Sequence, residues 1–439
     1  MKPFQLPADF SLGTATASLQ IEGGDTNNSW YRWSRRPGRI ADGSDCTVAD
    51  DHWNRVDEDI RLMKRLNVTV YRMSLEWSRI QPEENRFDER ALAHYRDEIT
   101  ALKRAGIEPL VTLHHFSNPL WFEDSGGWTD RRAVRRFERY AERAAHCLGD
   151  LVPEWVTINE PNVYLVFGYV AGTWPPGEQS IVKYIRGART MIRAHVAAYR
   201  AIHRVRSSMG FDDTMVGAAH HLRIFDPKRD SRLDRLACAL QNRLFHEVFL
   251  AGMSNGRLVP PVGAGVPRGR ETFQDFIGIN YYSREMVTFN IRKPEQMFGD
   301  IETLPGAPVN DLGWEIYPEG LYRFCEACHR RFGLPIYITE NGTADAADRF
   351  RSRYLYDHLH QVHRLIEAGV DVRRYYHWTL MDNFEWAEGY EAKFGLIAVN
   401  FKNQKRTIRR SGNFYAEICK NRGVTGAMIK KYLKASTGR

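Results

Sequence analysis

Short apolar runs rich in β-branched residues recur along the whole chain, and longer stretches with helical periodicity separate them. Eight such runs are present, at residues 10–15, 68–73, 109–113, 155–158, 215–219, 276–279, 335–339 and 372–378. Alternation of this kind is typical of parallel sheets assembled from β-α units. The eight units predict the α/β class and, within it, a single (β/α)8 TIM barrel with enlarged loops after its strands.

Glycines that end the predicted helices support the division of the chain into β-α units. Gly106 follows the helical pattern of residues 99–105, and Gly369 follows that of residues 355–368. Glycine just past a helix end is the expected terminator.

The chain has 439 residues, well above the roughly 150 of an ordinary domain, but barrels with enlarged loops can exceed about 400 residues. We therefore expect one catalytic domain over residues 1–439, with a short basic tail from about residue 426.

Charge and composition exclude several classes of function. A formal net charge of +8 over 439 residues is a mild bias, so no nucleic-acid partner is expected. No apolar run approaches the roughly 18 residues that span a bilayer, and the first residues lack the apolar core of a secretory signal. The 6 cysteines are scattered and form no disulfide framework. These features predict a cytoplasmic protein without a membrane partner.

Polar and aromatic residues follow or end seven of the eight predicted strands. They are Gln20, Arg72, His114, His115, Asn159, Glu160, Asn280, Tyr281, Tyr282, Glu340, Asn341 and Trp378. Enzymes with this barrel build their active sites at the carboxyl ends of the strands, so we expect these side chains to lie together. Two of them are glutamates, each beside an asparagine, after the fourth and seventh strands.

A pair of carboxyl groups at such a site matches the chemistry of glycoside hydrolysis. One carboxyl protonates the departing oxygen, and the other stabilises or attacks the anomeric carbon. A separation of about 5 Å between them permits direct attack and retention of configuration. Either glutamate alone would be interpreted as part of a surface salt bridge. Together, at the ends of two barrel strands, they indicate a catalytic pair.

Four segments of the chain resemble signature motifs of glycoside hydrolase family 1, which includes many β-glucosidases. They are residues 10–23 (FSLGTATASLQIEG), 157–161 (TINEP), 338–342 (ITENG) and 378–386 (WTLMDNFEW). Their order and spacing match the family over nearly the whole chain, from Phe10 to about Asn421. The resemblance implies a retaining β-glycosidase that cleaves terminal β-D-glucosyl residues, with β-galactosyl and β-fucosyl residues as further substrates.

The resemblance also implies a role for each matching residue. Glu160 corresponds to the acid/base and Glu340 to the nucleophile. Arg72 and Asn280 correspond to residues that support the nucleophile, and Tyr282 to a tyrosine that hydrogen-bonds it. The remaining sugar-binding positions are Gln20, His115, Asn159, Trp378, Glu385 and Trp386. One departure is Asp50, which stands where many members of the family have cysteine.

Three alternative functions fit parts of the same pattern. A 6-phospho-β-glycosidase and a transglycosylase would use the same barrel and glutamates, whereas a non-catalytic sugar-binding protein would be expected to lack one of them. The expected partner is a small β-glycoside or oligosaccharide, with no cofactor and no metal. Cys325-Glu-Ala-Cys328-His329 fits a haem-attachment pattern but lies in a helical stretch without an export signal. The doublets His114-His115 and His220-His221 would point to opposite faces of their strands.

Overall fold

The computed structural model describes residues 1–265, 272–293 and 297–434. Eight parallel strands close into a barrel in which each strand pairs with its neighbours in the chain, and the last pairs with the first. The strands are β1 (Ser11–Ala15), β2 (Val70–Ser74), β3 (Glu108–His114), β4 (Glu154–Asn159), β5 (Met215–His221), β6 (Ile277–Tyr281), β7 (Ile336–Asn341) and β8 (Val372–Trp378). The predicted TIM barrel is confirmed, with small shifts at the strand ends.

Nearly every residue of the barrel strands is buried, because helices cover the outside of the sheet and side chains fill its interior. Leu110, Val111 and Val156 are fully buried members of this core. The parallel register aligns the carboxyl ends of the strands. It places Glu340 beside Asn280 across β7 and β6, and Trp378 beside Ala15 across β8 and β1. The polar residues at the strand ends therefore meet at one mouth of the barrel.

Helices surround the barrel, and their ends follow local sequence signals. The Asp88 side chain accepts from the backbone N–H groups of Arg90 and Ala91 and caps one long helix. Gly106, at φ +77°, follows the end of that helix. The α-helices are Ser18–Ile21, Ser29–Ser34, His52–Arg65, Trp77–Ile80, Glu89–Arg104, Leu120–Asp124, Ala133–Leu148, Pro161–Val166, Ile181–Ser208, Arg232–Asn242, Val248–Asn255, Glu319–Phe332, Arg351–Glu367, Arg410–Asn421 and Gly426–Met428. Shorter 3₁₀ or π turns occupy Gly127–Thr129, Phe167–Ala171, Arg243–Glu247, Trp386–Glu388 and Ile429–Leu433.

The loops after several barrel strands carry structure of their own. Strands Ile224–Pro227, Arg284–Phe289 and Gly299–Glu302 form a small sheet from the loops after β5 and β6. Strands Ile397–Asn400 and Lys405–Ile408 form a hairpin after β8. These insertions are the enlarged loops that the length of the chain predicts, and they stand on the side of the barrel where the polar strand ends lie.

The segment after about residue 426, predicted as a short basic tail, is folded as far as Leu433. Residues Gly426–Met428 and Ile429–Leu433 are helical, and Ile429 and Tyr432 are buried. The Arg410 guanidinium donates to the backbone carbonyl groups of Lys431 and Tyr432. The lysines of this stretch therefore project from a packed segment, because the apolar residues between them contact the barrel helices. Residues 435–439 lie outside the described residues.

The cysteine pair and the apolar content of the helices were also considered in the sequence. Cys325 and Cys328 are buried as free thiols in helix Glu319–Phe332, which is the packing role expected for them. Within residues 1–265, 272–293 and 297–434, no helix is both long and apolar enough to cross a membrane.

Candidate active site

Most of the side chains predicted from the strand ends gather at the carboxyl mouth of the barrel. His114, Tyr281 and Asn341 do not join them, because their side chains contact Asn118, the Tyr317 carbonyl and Tyr354. Asn159 ends β4 and Glu160 follows it directly, while Glu340 lies near the end of β7. Glu160 has a left-handed backbone conformation, with φ at 41°. Such a conformation is uncommon for a residue other than glycine and concentrates at functional sites. Pro161 then begins the next helix, so Glu160 stands at the turn between strand and helix.

Glu340 is a buried carboxyl group that receives hydrogen bonds from two side chains. Arg72 Nη1 lies 2.5 Å from Glu340 Oε1, and the Tyr282 hydroxyl donates to Glu340 Oε2 at 2.6 Å. Arg72 is itself fully buried. Both predicted contacts of Glu340, with Arg72 and with Tyr282, are present. A cationic donor and a hydroxyl donor on the same group favour its ionised form.

Glu160 has a different environment. Asn280 Nδ2 donates to Glu160 Oε1 at 2.7 Å, and His221 Nδ1 lies 3.1 Å from the same oxygen. Asn280 was expected to support Glu340, but its amide N–H group instead donates to Glu160, while its Oδ1 accepts from the Thr339 hydroxyl on β7 at 2.6 Å. Among the described residues no hydrogen bond reaches Glu160 Oε2. That oxygen therefore remains free to face a ligand in the barrel mouth.

Asn159 joins the two carboxyl environments. Its Oδ1 atom accepts from Arg72 Nη2 at 2.6 Å and from Asn280 Nδ2 at 3.0 Å. Its Nδ2 atom lies 3.0 Å from His115 Nε2. A continuous set of hydrogen bonds thus runs from Glu340 through Arg72, Asn159 and Asn280 to Glu160. Buried networks in which each member has a partner hold side chains in one arrangement.

Burial and mutual charge perturb the titration of this site. Burial, and to a smaller extent the charge of Glu160, raise the pKa of Glu340 to about 7, while Arg72 and the Tyr282 hydroxyl oppose that rise. Burial also holds the pKa of the Tyr282 hydroxyl well above its usual range, so this hydroxyl keeps its proton and remains a donor. Burial and the charge of Arg72 keep the pKa of His115 well below its usual range. A neutral His115 can accept from the Asn159 amide.

The predicted sugar-binding residues lie beside the carboxyl pair. Gln20 Nε2 donates to the Phe384 carbonyl at 2.9 Å and lies 3.3 Å from Glu385 Oε2. The His115 ring stacks near both Trp378 and Trp386, with centroid distances of 5.8 and 5.9 Å. Withdrawal from water, followed by the charge of Glu340, raises the pKa of Glu385 to about 8. The result is a pocket with aromatic surfaces and several polar groups, a combination suited to a sugar ring.

An aromatic cluster behind Trp386 was not among the predicted site residues. Trp30 lies 4.9 Å from Trp386 between ring centroids, and Trp174 lies 5.2 Å from Trp30. Phe116 packs against both Trp174 and Trp386 at 5.0 and 5.1 Å. These rings come from three separate loops, so no local sequence pattern links them. They fix the orientation of Trp386 in the pocket.

His221 contacts Glu160 but was not among the predicted site residues. It ends β5, the one strand whose terminal residues were not included among the site candidates, and it is only 6% exposed. The other residues were predicted because they lie at the carboxyl ends of barrel strands, and the same reasoning applies to β5. Its contact with Glu160 places it in the site.

The two histidine doublets diverge rather than converge. His114 Nε2 contacts Asn118 Oδ1 at 2.9 Å, whereas His115 contacts Asn159. His220 Nε2 lies 3.3 Å from Gln274 Oε1, whereas His221 contacts Glu160. Over the described ranges, no group of three or more His, Cys, Asp or Glu side chains is placed to hold a metal ion.

Comparison with known proteins identifies a well-populated family. The model described as Glycosyl hydrolase family 1 matches residues 2–262 and 267–424. Beta-glucosidase A of Acetivibrio thermocellus is 34% identical, covering 96% of this chain and 100% of that protein. Beta-galactosidase of Pyrococcus woesei is 30% identical, covering 98% and 99%.

Solved structures give the same result. The structure of a beta-glycosidase from Pyrococcus horikoshii aligns with a TM-score of 0.90 at 36% identity, covering 98% of each chain. Beta-glucosidase from Thermotoga maritima in complex with glucoimidazole aligns with a TM-score of 0.89 at 31% identity, covering 96% of this chain and 100% of that one. The similarity therefore extends over the barrel and its loops.

Proposed function

Because this chain belongs to glycosyl hydrolase family 1 and is a β-glycosidase of that family, we propose that it hydrolyses terminal non-reducing β-D-glucosyl residues with retention of configuration. The observation that carries the proposal is the asymmetry of the carboxyl pair. Glu340 receives a cationic and a hydroxyl donor, as a nucleophile that must react in its ionised form requires. Glu160 keeps one oxygen free, as a proton donor requires.

In the first step Glu340 attacks the anomeric carbon, and the bond from that carbon to the aglycone oxygen breaks. Glu160 transfers its proton to the departing oxygen, so the aglycone leaves as a neutral alcohol. The sugar is then held as an ester of Glu340, and Glu160 is a carboxylate. Loss of the negative charge on Glu340 removes the repulsion that opposed ionisation of Glu160.

In the second step Glu160 takes a proton from a water molecule, and the water oxygen attacks the anomeric carbon. The ester bond to Glu340 breaks, Glu340 regains its charge and Glu160 regains its proton. Two inversions at the same carbon return the original configuration. In both steps the proton is transferred through Oε2 of Glu160, the oxygen that accepts no hydrogen bond from the described residues.

The sugar itself is recognised by the surrounding pocket. Gln20 and Glu385 lie together beneath the far side of the ring, and Trp378 provides its platform. Asn159 is placed to bond the hydroxyl next to the anomeric carbon, a contact that strengthens in the transition state. The Trp386 indole N–H donates to a hydroxyl beside the one bound by Glu385. The names of the glucosidase and galactosidase relatives are consistent with a neutral hexose.

Charge favours a neutral sugar over its phosphorylated counterpart. A phosphate group carries between about one and two negative charges near neutral pH and binds to cations or backbone N–H groups. Glu385 lies at the position such a group would occupy and supplies no cation there, and Glu388 follows three residues later in the chain. Lys393 does not compensate, since its Nζ lies over the Phe401 ring.

A panel of nitrophenyl glycosides tests this proposal. The panel contains the β-glucoside, β-galactoside, β-fucoside and 6-phospho-β-glucoside, and kcat/KM is measured for each. We expect the plain glucoside to be turned over with a much higher kcat/KM than the phosphorylated one. A higher value for the 6-phosphoglucoside would assign the chain to the phosphoglycosidases, and no turnover of any member would favour a non-catalytic protein. Including an acceptor sugar and measuring the yield of transfer product separates hydrolysis from transglycosylation.

A further inference from the structure

The imidazole of His221 lies against the proposed acid/base, and no role follows for it from the two-carboxylate mechanism alone. We propose that His221 is a positioning residue for Glu160: together with Asn280 it holds Oε1 and so directs Oε2, with its proton, at the leaving group. This inference rests on the proposed function, because it assigns to His221 a part in the proton transfer by Glu160.

The geometry of β5 and β6 supports a paired role for the two donors. His221 and Asn280 are registered partners on these adjacent strands, so their side chains leave the sheet side by side. Asn280 Nδ2 lies 2.7 Å and His221 Nδ1 3.1 Å from the same carboxyl oxygen. Two donors on one oxygen leave the proton of the carboxyl group to the other oxygen. A lone donor would leave the carboxyl free to rotate about its last bond.

Two aromatic rings pack against the His221 ring, and a third contact holds its backbone. It stacks on the Tyr282 ring at a centroid distance of 5.8 Å and an angle of 18°. The edge of Phe245 meets it at 5.9 Å and 89°. Its backbone carbonyl accepts from Asn162 Nδ2 at 2.8 Å, and Asn162 belongs to the helix that Glu160 caps. The backbone of His221 is therefore bonded to the helix that follows Glu160, and its ring is packed between two other rings.

The stacking also relates His221 to the nucleophile. Tyr282 presents its ring face to His221 and its hydroxyl to Glu340 Oε2. One rigid pair of rings thus contacts both carboxyl groups, one through an imidazole nitrogen and the other through a phenol oxygen. The stacked rings of His221 and Tyr282 thereby help to fix the orientation of both carboxyl groups, as a catalytic pair requires.

A matched pair of variants distinguishes the effect of the N–H donor of His221 from the effect of its ring. His221→Asn keeps an N–H donor at the same number of bonds from the backbone as Nδ1, and His221→Leu has nearly the same shape as asparagine without a donor. His220→Leu serves as the control, because His220 is equally buried on the same strand but contacts Gln274. Glu160→Gln is measured in parallel, and His221→Phe replaces the leucine variant if the latter does not fold.

The readout is kcat/KM on a dinitrophenyl glucoside, which needs no proton on its leaving group, against that on an alkyl glucoside, which does. Glu160 gains negative charge as it gives up its proton, so loss of the hydrogen bond from His221 predicts a fall of roughly ten- to hundredfold for His221→Leu on the alkyl glucoside. Little change is expected on the dinitrophenyl glucoside. His221→Asn should recover most of the loss, and His220→Leu should leave the ratio of the two substrates unchanged.

Two results would overturn the inference in different ways. Equal losses of His221→Leu on both substrates, or no recovery in His221→Asn, would refute the role of His221 while leaving Glu160 as acid/base. If Glu160→Gln itself fails to discriminate between the two substrates, the proposed acid/base role is wrong and the inference falls with it.

Discussion

Removing one hydroxyl group next to Glu340 should shift the pH range in which the protein is active. The Tyr282→Phe variant loses the donor at 2.6 Å from Glu340 Oε2 but keeps the ring that packs against His221, Trp314 and Phe394. The hydroxyl stabilises only the ionised form of Glu340. Its loss therefore raises the pKa of that carboxyl above its value of about 7.

The size of the shift follows from the energy of the contact. A hydrogen bond to a charged group contributes about 1.5–3 kcal/mol, and about 1.4 kcal/mol corresponds to one pKa unit. Because the group is buried, solvent screening does not reduce this value much. The acid limb of kcat/KM, which reports the free enzyme, should move to higher pH by about one to two units.

The assay is the pH dependence of kcat/KM on 4-nitrophenyl β-glucoside for the wild type and two variants. Tyr281→Phe is the matched control, since its hydroxyl donates to the Tyr317 backbone carbonyl at 2.6 Å rather than to a carboxyl group. We expect its acid limb to coincide with that of the wild type. An acid limb of Tyr282→Phe that stays in place or moves to lower pH would refute the view that Glu340 must be ionised to react.

Three further outcomes are expected. Glu385→Ser should lower kcat/KM for the β-glucoside far more than for the β-fucoside, since fucose lacks the 6-hydroxyl; equal losses would remove Glu385 from that contact. Neither a strong chelator nor a thiol reductant should lower the rate of hydrolysis, and a marked loss with the chelator would indicate a required metal. Burial raises the pKa of Asp50 well above its usual range, so this carboxyl stabilises the fold least at high pH, where the unfolded chain gains by ionising. The melting temperature of Asp50→Asn relative to the wild type should therefore rise as the pH increases from about 4 to about 8, and a constant difference would contradict the buried, protonated state.

Periodicity was sufficient to predict the barrel. All eight strands were located because a buried parallel strand is a short apolar run, and each closes against its neighbours without a free edge. The strand ends were less certain, because the last residues of β3, β4 and β7 are polar side chains in strand conformation. At Glu340 and Asn341, for example, the strand continues through the residues that form the site.

Contacts between distant loops could not be read from the sequence. The Asn280 amide donates to Glu160 and Asn159 and accepts from Thr339, a choice of partners that depends on three strands meeting at the barrel mouth. The Trp30, Phe116 and Trp174 cluster depends on three loops meeting. His221, by contrast, ends a predicted strand, so its place in the site could be predicted from the sequence in the same way as that of the other strand-end residues.

The basic segment after about residue 426 shows that net charge does not predict whether a segment packs. Net charge marked residues after about 426 as basic, yet Ile429 and Tyr432 alternate with the lysines and pack against the barrel helices. The basic residues therefore mark only the exposed side of this segment, and its apolar residues determine that it packs. Short helical turns at a chain end leave too few residues for a clear periodic pattern.

Chemical rescue of the Glu340→Gly variant tests the central claim most directly. Without its carboxyl group the variant should not hydrolyse an activated aryl β-glucoside, because no covalent ester can form. Azide should enter the vacated space and attack the anomeric carbon from the same side as the missing carboxylate. Nuclear magnetic resonance of the product should then show the α-glucosyl azide, whereas Glu160→Ala with azide should give the β-glucosyl azide. Hydrolysis by Glu340→Gly without azide, or a β-configured azide from that variant, would contradict the assignment of Glu340 as the nucleophile.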